Sequence, residues 1–263
     1  MRERLEGDLL YREEEGVGWV TLNRPQARNA LTFAMYQGLA EICGGLAAEG
    51  SVRVLVLSGA GDKAFAAGTD IAQFRDFRSV EDALAYEARM DEVLGAVEAC
   101  PLPTVAALAG ACTGGGAAIA AACDLRLASR DLRFGFPIAR TLGNCLSTAT
   151  LSRVVALLGV ARVKELIFTA RLLAAEEALA CGLVSEVLED REAVLARAAA
   201  LAETLKGHAP LTLRATKEAL RRLRLATAEI EDSDLIALCY TSSDFREGLE
   251  AFLAKRRPDW QGR

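Results

Sequence analysis

The chain has 263 residues, of which 52% are hydrophobic and 25% are charged, and its formal net charge is −5. This length suits one large domain or two small ones with a sizeable core, while the acidic balance argues against nucleic acid or an anionic membrane surface as a partner. The seven cysteines are scattered without a C-x-x-C pair, which is typical of reduced core thiols and not of a disulfide framework or a metal site. The first six residues, MRERLE, lack the apolar core of a signal peptide, so we expect a cytoplasmic protein.

The first half of the chain alternates between predicted strands and predicted helices. Residues 9–11 and 17–22 have the composition of two strands joined as a hairpin. Thr32 can begin a helix, because apolar residues recur after it at helical spacing. Residues 52–57 are almost wholly apolar, as expected of a parallel strand that is covered on both faces. The remaining predicted elements of this half are a Gly/Ala-rich loop over 59–70 and a helix over about 80–98.

The segment 101–123 contains no charged residue and is long enough to cross a membrane. Prolines and glycines interrupt it, however, so a buried strand over 103–109, a turn at the glycine triplet 114–116 and a short helix over 117–122 fit it better. The remaining predicted elements are strands at 124–129 and 133–136 and, from about Ser147 onward, helices alone.

Two glycine-rich turns, each just after a predicted buried strand, are the segments most able to carry chemistry. They are FAAGTDI at 65–71 and GACTGGG at 110–116. Glycine lets the backbone approach a ligand closely, and a turn that opens a helix directs free N–H groups at whatever lies there. If the two turns converge, they make a two-donor oxyanion hole; if they do not, they are only tight strand–helix turns. These residues alone leave both interpretations open.

Six blocks of the sequence, in order and at matching spacing, resemble the crotonase (enoyl-CoA hydratase/isomerase) family. The blocks are VTLNRP with ARNAL (20–31), FAAGTD (65–70), AG through the glycine triplet to CD (109–124), FGFP (134–137), the segment 174–184 and the C-terminal segment 244–258. The resemblance is specific and covers nearly the whole chain.

The resemblance implies an α/β fold, namely a crotonase/ClpP-like spiral of repeated ββα units over 1–190. A helical C-terminal trimerisation region over 191–263 would follow within the same functional domain, and the assembly would be a homotrimer or a dimer of trimers. The resemblance also implies that the substrate is an acyl-CoA thioester whose enolate is stabilised. No separate cofactor, no nucleic acid and no membrane would then be required.

For the site, the resemblance implies that the backbone N–H groups of Thr69 and Gly115 hold the thioester oxygen. It places CoA against residues in or next to the first two blocks and against two residues of a neighbouring subunit. The former are Ala27, Arg28, Ala66, Ala67, Asp70 and Ile71, and the latter are Phe252 and Lys255.

The sequence departs from the family at the two positions that carry the catalytic carboxylates. Hydratases of the family have one glutamate shortly after the glycine triplet and another directly after the proline of Phe-Gly-x-Pro, but here these positions are Ala118 and Ile138. Each general acid–base group contributes about 10²–10⁴ in rate, so we expect ordinary hydration to be nearly abolished. The oxyanion donors remain, and each can contribute about 3 kcal/mol at the transition state.

The segment after Ile138 is predicted to line the acyl pocket, and it contains Arg140, Thr141, Asn144 and Cys145. Arg140 and Asn144 can donate hydrogen bonds but are not bases, and Cys145 has no histidine nearby in the sequence to depress its pKa. Asp70 is acidic, but we expect its side chain to cap the turn that follows it.

These observations predict an enzyme that acts on an acyl- or enoyl-CoA thioester through a stabilised enolate, nominally of the hydratase/isomerase type. Two other enzymes remain open: a thioester hydrolase, and a decarboxylase of a malonyl-type CoA whose carboxylate Arg140 or Asn144 would orient. A non-catalytic binder of acyl-CoA is the third alternative.

Overall fold

The computed structural model describes residues 7–226 and 231–262, so the charged N-terminal hexapeptide lies outside the described residues. The strands are β1 (Leu9–Glu14), β2 (Val17–Leu22), β3 (Val54–Gly59), β4 (Ala64–Ala66), β5 (Thr104–Leu108), β6 (Ala111–Thr113), β7 (Leu125–Ser129), β8 (Arg133–Gly135), β9 (Leu173–Ala174) and β10 (Glu186–Leu188). The helices are α1 (Phe33–Gly45), α2 (Val80–Ala99), α3 (Gly115–Ala122), α4 (Ile138–Thr141), α5 (Thr148–Thr169), α6 (Ala175–Ala180), α7 (Arg191–Lys206), α8 (Pro210–Leu225), α9 (Ser233–Tyr240) and α10 (Ser243–Leu253), with 3-10 helices at Pro25–Ala27 and Ile71–Asp76.

The strands form two sheets, and the strands from β3 to β8 alternate between them. The larger sheet has the order β1-β2-β3-β5-β7-β10 and the smaller one the order β4-β6-β8-β9. From β2 to β10 the larger sheet is parallel, and β1 closes it as the predicted antiparallel hairpin partner of β2. The units β3-β4-α2, β5-β6-α3 and β7-β8-α4 each place one strand in each sheet before a helix. The predicted spiral of ββα units is therefore confirmed.

Helices cover both faces of the larger sheet. On one face, α1, α2 and α3 contribute to the main apolar core, and α1 begins as predicted, since the Thr32 side chain accepts a hydrogen bond from the N–H of Met35. On the other face, Val194 and Ala198 of α7 pack in one cluster with Val54 and other strand residues. The helical region predicted to start at residue 191 thus begins with a helix that belongs to the main layers.

The last two helices pack against α2 and the 3-10 helix that precedes it. Ile236 and Tyr240 of α9 and Phe245 of α10 are buried in a third apolar cluster with Phe74 and Ala83. By contrast, no residue of α8 is buried. None of the helices within the described ranges is long and apolar enough to cross a membrane, and the uncharged segment 101–123 is divided among β5, β6 and α3.

Four short strands were not anticipated from the sequence. β4 lies in the segment predicted to be a loop, β6 lies in the second glycine-rich turn, and β9 and β10 show that the prediction of helices alone after Ser147 is wrong. These strands have two or three residues each, which is too short to show an alternating pattern. Pairing with neighbours that are distant in sequence decides their conformation.

Candidate active site

The loops that follow β4 and β6 meet at one edge of the smaller sheet, because these strands are parallel neighbours. The first loop contains Gly68 with a φ of 113°, and the second contains Gly114 with a φ of 53°. Both values lie in the left-handed region that favours glycine. A Cβ atom on Gly114 would lie 3.4 Å from the Cα of Gly68, so the two glycine turns converge in backbone contact.

Thr69 and Gly115, the residues that follow these glycines, each have a backbone N–H group with no acceptor among the residues that the structure describes. Leu31 pairs with the residues on either side of Thr69: its N–H donates to the carbonyl of Gly68 at 2.8 Å, and its own carbonyl accepts from the next N–H after Thr69 at 2.8 Å. Gly115 is the first residue of α3, so its N–H has no acceptor within the helix. Within the described residues, neither N–H group donates a hydrogen bond.

A cluster of three hydroxyl groups surrounds this pair of donors. The Oγ1 of Thr69 lies 2.9 Å from the hydroxyl of Tyr36 and 3.0 Å from the hydroxyl of Tyr86. Burial raises the pKa of both tyrosines, so both remain neutral phenols. A Cβ atom on Gly115 would lie 1.8 Å from the Tyr36 hydroxyl, which leaves room only for glycine at this position.

The two N–H groups belong to residues that line one cavity of about 580 Å³, a volume typical of a small-molecule site. Most of the residues predicted for the site line this cavity. They are Ala27, Arg28, Ala67, Thr69, Asp70, Ile71, Gly115, Ala118, Ile138, Thr141, Asn144 and Phe252.

The family model described as enoyl-CoA hydratase/isomerase matches residues 12–263. The chain belongs to this family, the crotonases. One relative is the short-chain-enoyl-CoA hydratase of Clostridium acetobutylicum, which is 33% identical over 253 residues, or 95% of this chain and 96% of that protein.

Solved crotonase structures match the whole fold. An enoyl-CoA hydratase/carnithine racemase from Magnetospirillum magneticum superposes with a TM-score of 0.79 at 36% identity, covering 99% of this chain and 97% of the other. A methylmalonyl-CoA decarboxylase in complex with 2-nitronate-propionyl-CoA superposes with a TM-score of 0.88 at 27% identity, covering 98% of this chain and 99% of the other.

The two positions at which the family resemblance led us to expect glutamates form an apolar wall of the cavity. Ala118 on α3 is 7% exposed and Ile138 at the start of α4 is 8% exposed, and both line the cavity. This wall therefore has no carboxylate. Asp70 lines the cavity near its two turns, but its side chain accepts from the N–H of Ala72 at 3.2 Å and pairs with Arg24 at 2.9 Å. The predicted capping role of Asp70 is confirmed.

Four residues predicted for the crotonase site lie outside the cavity lining. Ala66 is fully buried in β4, and its carbonyl oxygen would lie only 2.5 Å from a Cβ on Gly116, so it packs against α3. Arg140 is exposed on α4, and Lys255 is exposed beyond the end of α10. The thiol of Cys145 faces the carbonyl of residue 235 at 3.7 Å.

The surroundings of Cys145 and the position of Phe252 bear on the roles expected of these two residues. A hydrogen bond with the neighbouring Cys239 thiol, together with burial, raises the pKa of Cys145, so it is not an activated nucleophile. Phe252 lines the cavity of its own chain, and its expected contact with CoA bound to a neighbouring subunit stays a prediction.

A second carboxylate that lines the cavity, besides that of Asp70, was not anticipated from the sequence. Glu87 of α2 lines the cavity and is only 5% exposed. The hydroxyl of Tyr240 donates a hydrogen bond to Glu87 Oε1, and burial raises the pKa of Glu87 to about 7. The helical spacing could have indicated that Glu87 is buried, because position 87 falls on the same face of α2 as the buried residues Ala83, Met90 and Leu94.

An amide extends this polar group. The Nδ2 of Asn144 donates to the hydroxyl of Tyr240 at 3.1 Å, so that Asn144, Tyr240 and Glu87 form a chain of hydrogen bonds. The Oδ1 of Asn144 is buried and has no hydrogen-bond partner among the described residues. Since Asn144 lines the cavity, a ligand with a donor group can satisfy this oxygen.

Proposed function

We propose that this crotonase acts on an acyl-CoA thioester and forms its enolate, with the thioester oxygen bound by the N–H groups of Thr69 and Gly115. The observation that supports this most directly is the pair of unpaired donors on converging turns beside a cavity of about 580 Å³. Such preorganised donors favour the charge that develops on the oxygen in the transition state, and each contributes about 3 kcal/mol.

The mouth of the cavity suits the CoA portion of this substrate. Ala27 and Arg28 line it, and the N–H of Ala67 donates to the carbonyl of Arg28 at 3.0 Å, so the segment 27–28 is held against the first oxyanion turn. Phe252 contributes an apolar surface from α10. The acyl chain would lie against the apolar wall of Ala118 and Ile138. The substrate supplies the thioester, and the proposed reaction uses no other cofactor.

The apolar wall argues against rapid hydration as the reaction. Water addition in a crotonase hydratase relies on carboxylates at the positions occupied here by Ala118 and Ile138. With both absent, an enolate can still form and be reprotonated on carbon, as in a shift of a double bond. We therefore propose isomerase-type proton transfer on an enoyl-CoA ahead of hydration.

Decarboxylation of a malonyl-type CoA is the second candidate, and it is supported by the match to a methylmalonyl-CoA decarboxylase. This reaction needs the oxyanion donors but no base, because the electron pair comes from the breaking C–C bond. Two observations weaken it: the exposed Arg140 lies outside the cavity lining, and the buried Glu87 carboxylate would repel a substrate carboxylate. Release of CO₂ from malonyl-CoA or methylmalonyl-CoA, followed by mass spectrometry of the acyl-CoA product, distinguishes the two candidates.

The test of the proposed oxyanion hole compares two ligands by calorimetry. Butyryl-CoA has the thioester carbonyl, whereas the thioether S-butyl-CoA has the same chain length without that oxygen. We expect the protein to prefer the thioester by about tenfold or more. Equal affinities would contradict the proposal.

A glycine pair makes the test specific to the site. Gly114→Ala adds a Cβ 3.4 Å from the Cα of Gly68 at a φ of 53°, whereas Gly182→Ala adds one at a φ of 76° with no atom within 4 Å. Both substitutions strain the backbone, but only the first disturbs the turn. We expect Gly114→Ala to lose the thioester preference and Gly182→Ala to keep it.

A further inference from the structure

We propose that Glu87 is the catalytic base of this site. It would carry out the proton transfer for which the family's hydratases use glutamates at the positions of Ala118 and Ile138. The inference rests on the proposed function, since it takes the thioester oxygen to lie at Thr69 and Gly115. The positions at which the family's hydratases carry their glutamates are both apolar here, so the carboxylate is supplied by a different element, α2.

The position of Glu87 on α2 brings it to the same cavity as the oxyanion donors. Tyr86, the residue before it, contacts Thr69 through its hydroxyl at 3.0 Å, and Met90 lines the cavity one turn further along. Among the described residues that line the cavity, the acidic ones are Asp70 and Glu87. Asp70 is occupied by its cap and by its pair with Arg24, which leaves Glu87 as the available carboxylate.

The surroundings of Glu87 suit a group that both accepts and returns a proton. The titratable groups that face it are Tyr36 on α1, Tyr86 and Asp91 on α2, Cys145 before α5, and Asp232 and Tyr240 at α9. Arg153 on α5 and Arg224 on α8 pair with Glu98 at the other end of α2, and Arg153 also lies 3.7 Å from the carboxylate of Asp91. With a pKa of about 7, the carboxyl group is near the value at which proton transfer is most efficient at neutral pH.

Tyr240 and Asn144 act on this carboxylate as positioning residues. The Tyr240 hydroxyl holds one carboxylate oxygen, and Asn144 holds the Tyr240 hydroxyl in turn. The hydrogen bond from Tyr240 lowers the pKa of Glu87 and so offsets part of the effect of burial.

The proposed step transfers one proton and needs no co-reactant. The C–H bond at the α-carbon of a saturated acyl-CoA breaks, and its proton forms an O–H bond with Glu87. The electron pair of that bond forms the C=C bond of the enolate, while the π pair of the thioester carbonyl moves to the oxygen held by Thr69 and Gly115. In a 3-enoyl-CoA, return of the same proton to the γ-carbon completes a double-bond shift.

The test is α-proton exchange of butyryl-CoA in D₂O, measured as a mass increase of the recovered thioester between pH 5 and 9. We expect exchange to rise with pH and to level off above about pH 7. Glu87→Gln should slow it by at least about 10²-fold while keeping the preference for butyryl-CoA over S-butyl-CoA. Glu92→Gln, which makes the same change at an exposed position of α2, is the matched control and should exchange at the wild-type rate.

Tyr240→Phe provides a second and independent readout. Without the Tyr240 hydrogen bond, the pKa of Glu87 should rise, so the inflection of the exchange profile should move to higher pH. A side chain with only a packing role would change the rate without moving the inflection.

Three outcomes overturn the inference while leaving the oxyanion hole intact. They are exchange in Glu87→Gln within about threefold of wild type, loss of exchange in Asp70→Asn with Glu87→Gln still active, and a wild-type protein that prefers the thioester but exchanges at no pH. A wild-type protein with no preference for the thioester refutes the proposed function itself, so the two failures are distinguishable.

Discussion

Replacing Glu87 by glutamine should change the pH dependence of stability in a way that can be calculated in advance. The carboxyl group is 5% exposed, and burial raises its pKa from 4.5 to about 7. Between these two values the folded chain keeps a proton that the unfolded chain releases. The free energy of unfolding therefore falls as the pH rises through this window and stays at the lower value above it.

The size of the effect follows from the same two values. Each pH unit between them corresponds to about 1.4 kcal/mol, so the ionised carboxylate should destabilise the fold by about 3 kcal/mol above pH 7 compared with pH 4.5. Glutamine has the shape of the protonated acid and does not titrate. The stability difference between Glu87→Gln and wild type should therefore grow in favour of the variant by about 3 kcal/mol from pH 4.5 to pH 8.

Urea denaturation at several pH values measures this difference. Protein concentration must be held constant, because any assembly of subunits makes apparent stability depend on it. Glu92→Gln, at an exposed position of α2, should show no comparable trend. If the difference between Glu87→Gln and wild type is the same at pH 5 and pH 8, or grows in the opposite direction, Glu87 is not a buried acid with a raised pKa.

Four further outcomes are expected. Gly115→Ala, whose Cβ would lie 1.8 Å from the Tyr36 hydroxyl, should abolish the preference for butyryl-CoA over S-butyl-CoA, and adding Tyr36→Phe should partly restore it; no restoration would show that the clash is not the cause. Hydration of crotonyl-CoA, followed by loss of its conjugated absorbance, should stay below about 1 s⁻¹, because Ala118 and Ile138 cannot activate water; faster turnover would reveal another base. Arg126→Met should lower the urea midpoint by an amount equivalent to about 3 kcal/mol. The reason is that the Arg126 guanidinium donates to two buried carbonyl oxygens at 2.6 and 2.7 Å, and methionine would leave both without a donor. A change in the free energy of unfolding below about 1 kcal/mol would contradict this expectation. Light scattering should give a trimer or hexamer, since α8 buries none of its residues within the chain, and a monomer at micromolar concentration would exclude this assembly.

Much of the fold was predictable because its signals are local or nearly local. The apolar run of β3, the cap of α1 at Thr32 and the glycine-rich turns each depend on a few neighbouring residues. The convergence of the turns could be proposed but not established, because it depends on the pairing of β4 with β6, and three-residue strands show no periodicity. The order of the family's sequence blocks, and not the propensity of any segment, carried the prediction of the spiral.

The proton-transfer group was not predictable in the same way. Glu87 lies among several charged residues of α2, where an acid is usually solvated. Its burial depends on α9, whose Tyr240 is separated from Glu87 by 153 residues in the sequence. Arg140 shows the opposite error, since its chemistry suited a substrate carboxylate but its side chain is exposed. Sequence gives the chemistry of a side chain, whereas the direction in which that side chain points is decided by packing.

Glu87 and Tyr86 are adjacent residues of one helix, α2, and this helps to keep the geometry of the site fixed. The Tyr86 hydroxyl lies 3.0 Å from the Thr69 side chain, beside one of the proposed oxyanion donors, while Glu87 presents the proposed base from the adjacent position. Adjacent residues of a helix are held in a fixed relation by its backbone hydrogen bonds, and catalytic groups on rigid elements are placed more accurately than groups on loops. A single helix can thus set the distance between the proposed oxygen site and the proposed base. For this reason, a carboxylate on α2 would allow proton transfer beside the proposed oxyanion turns even though Ala118 and Ile138 carry none.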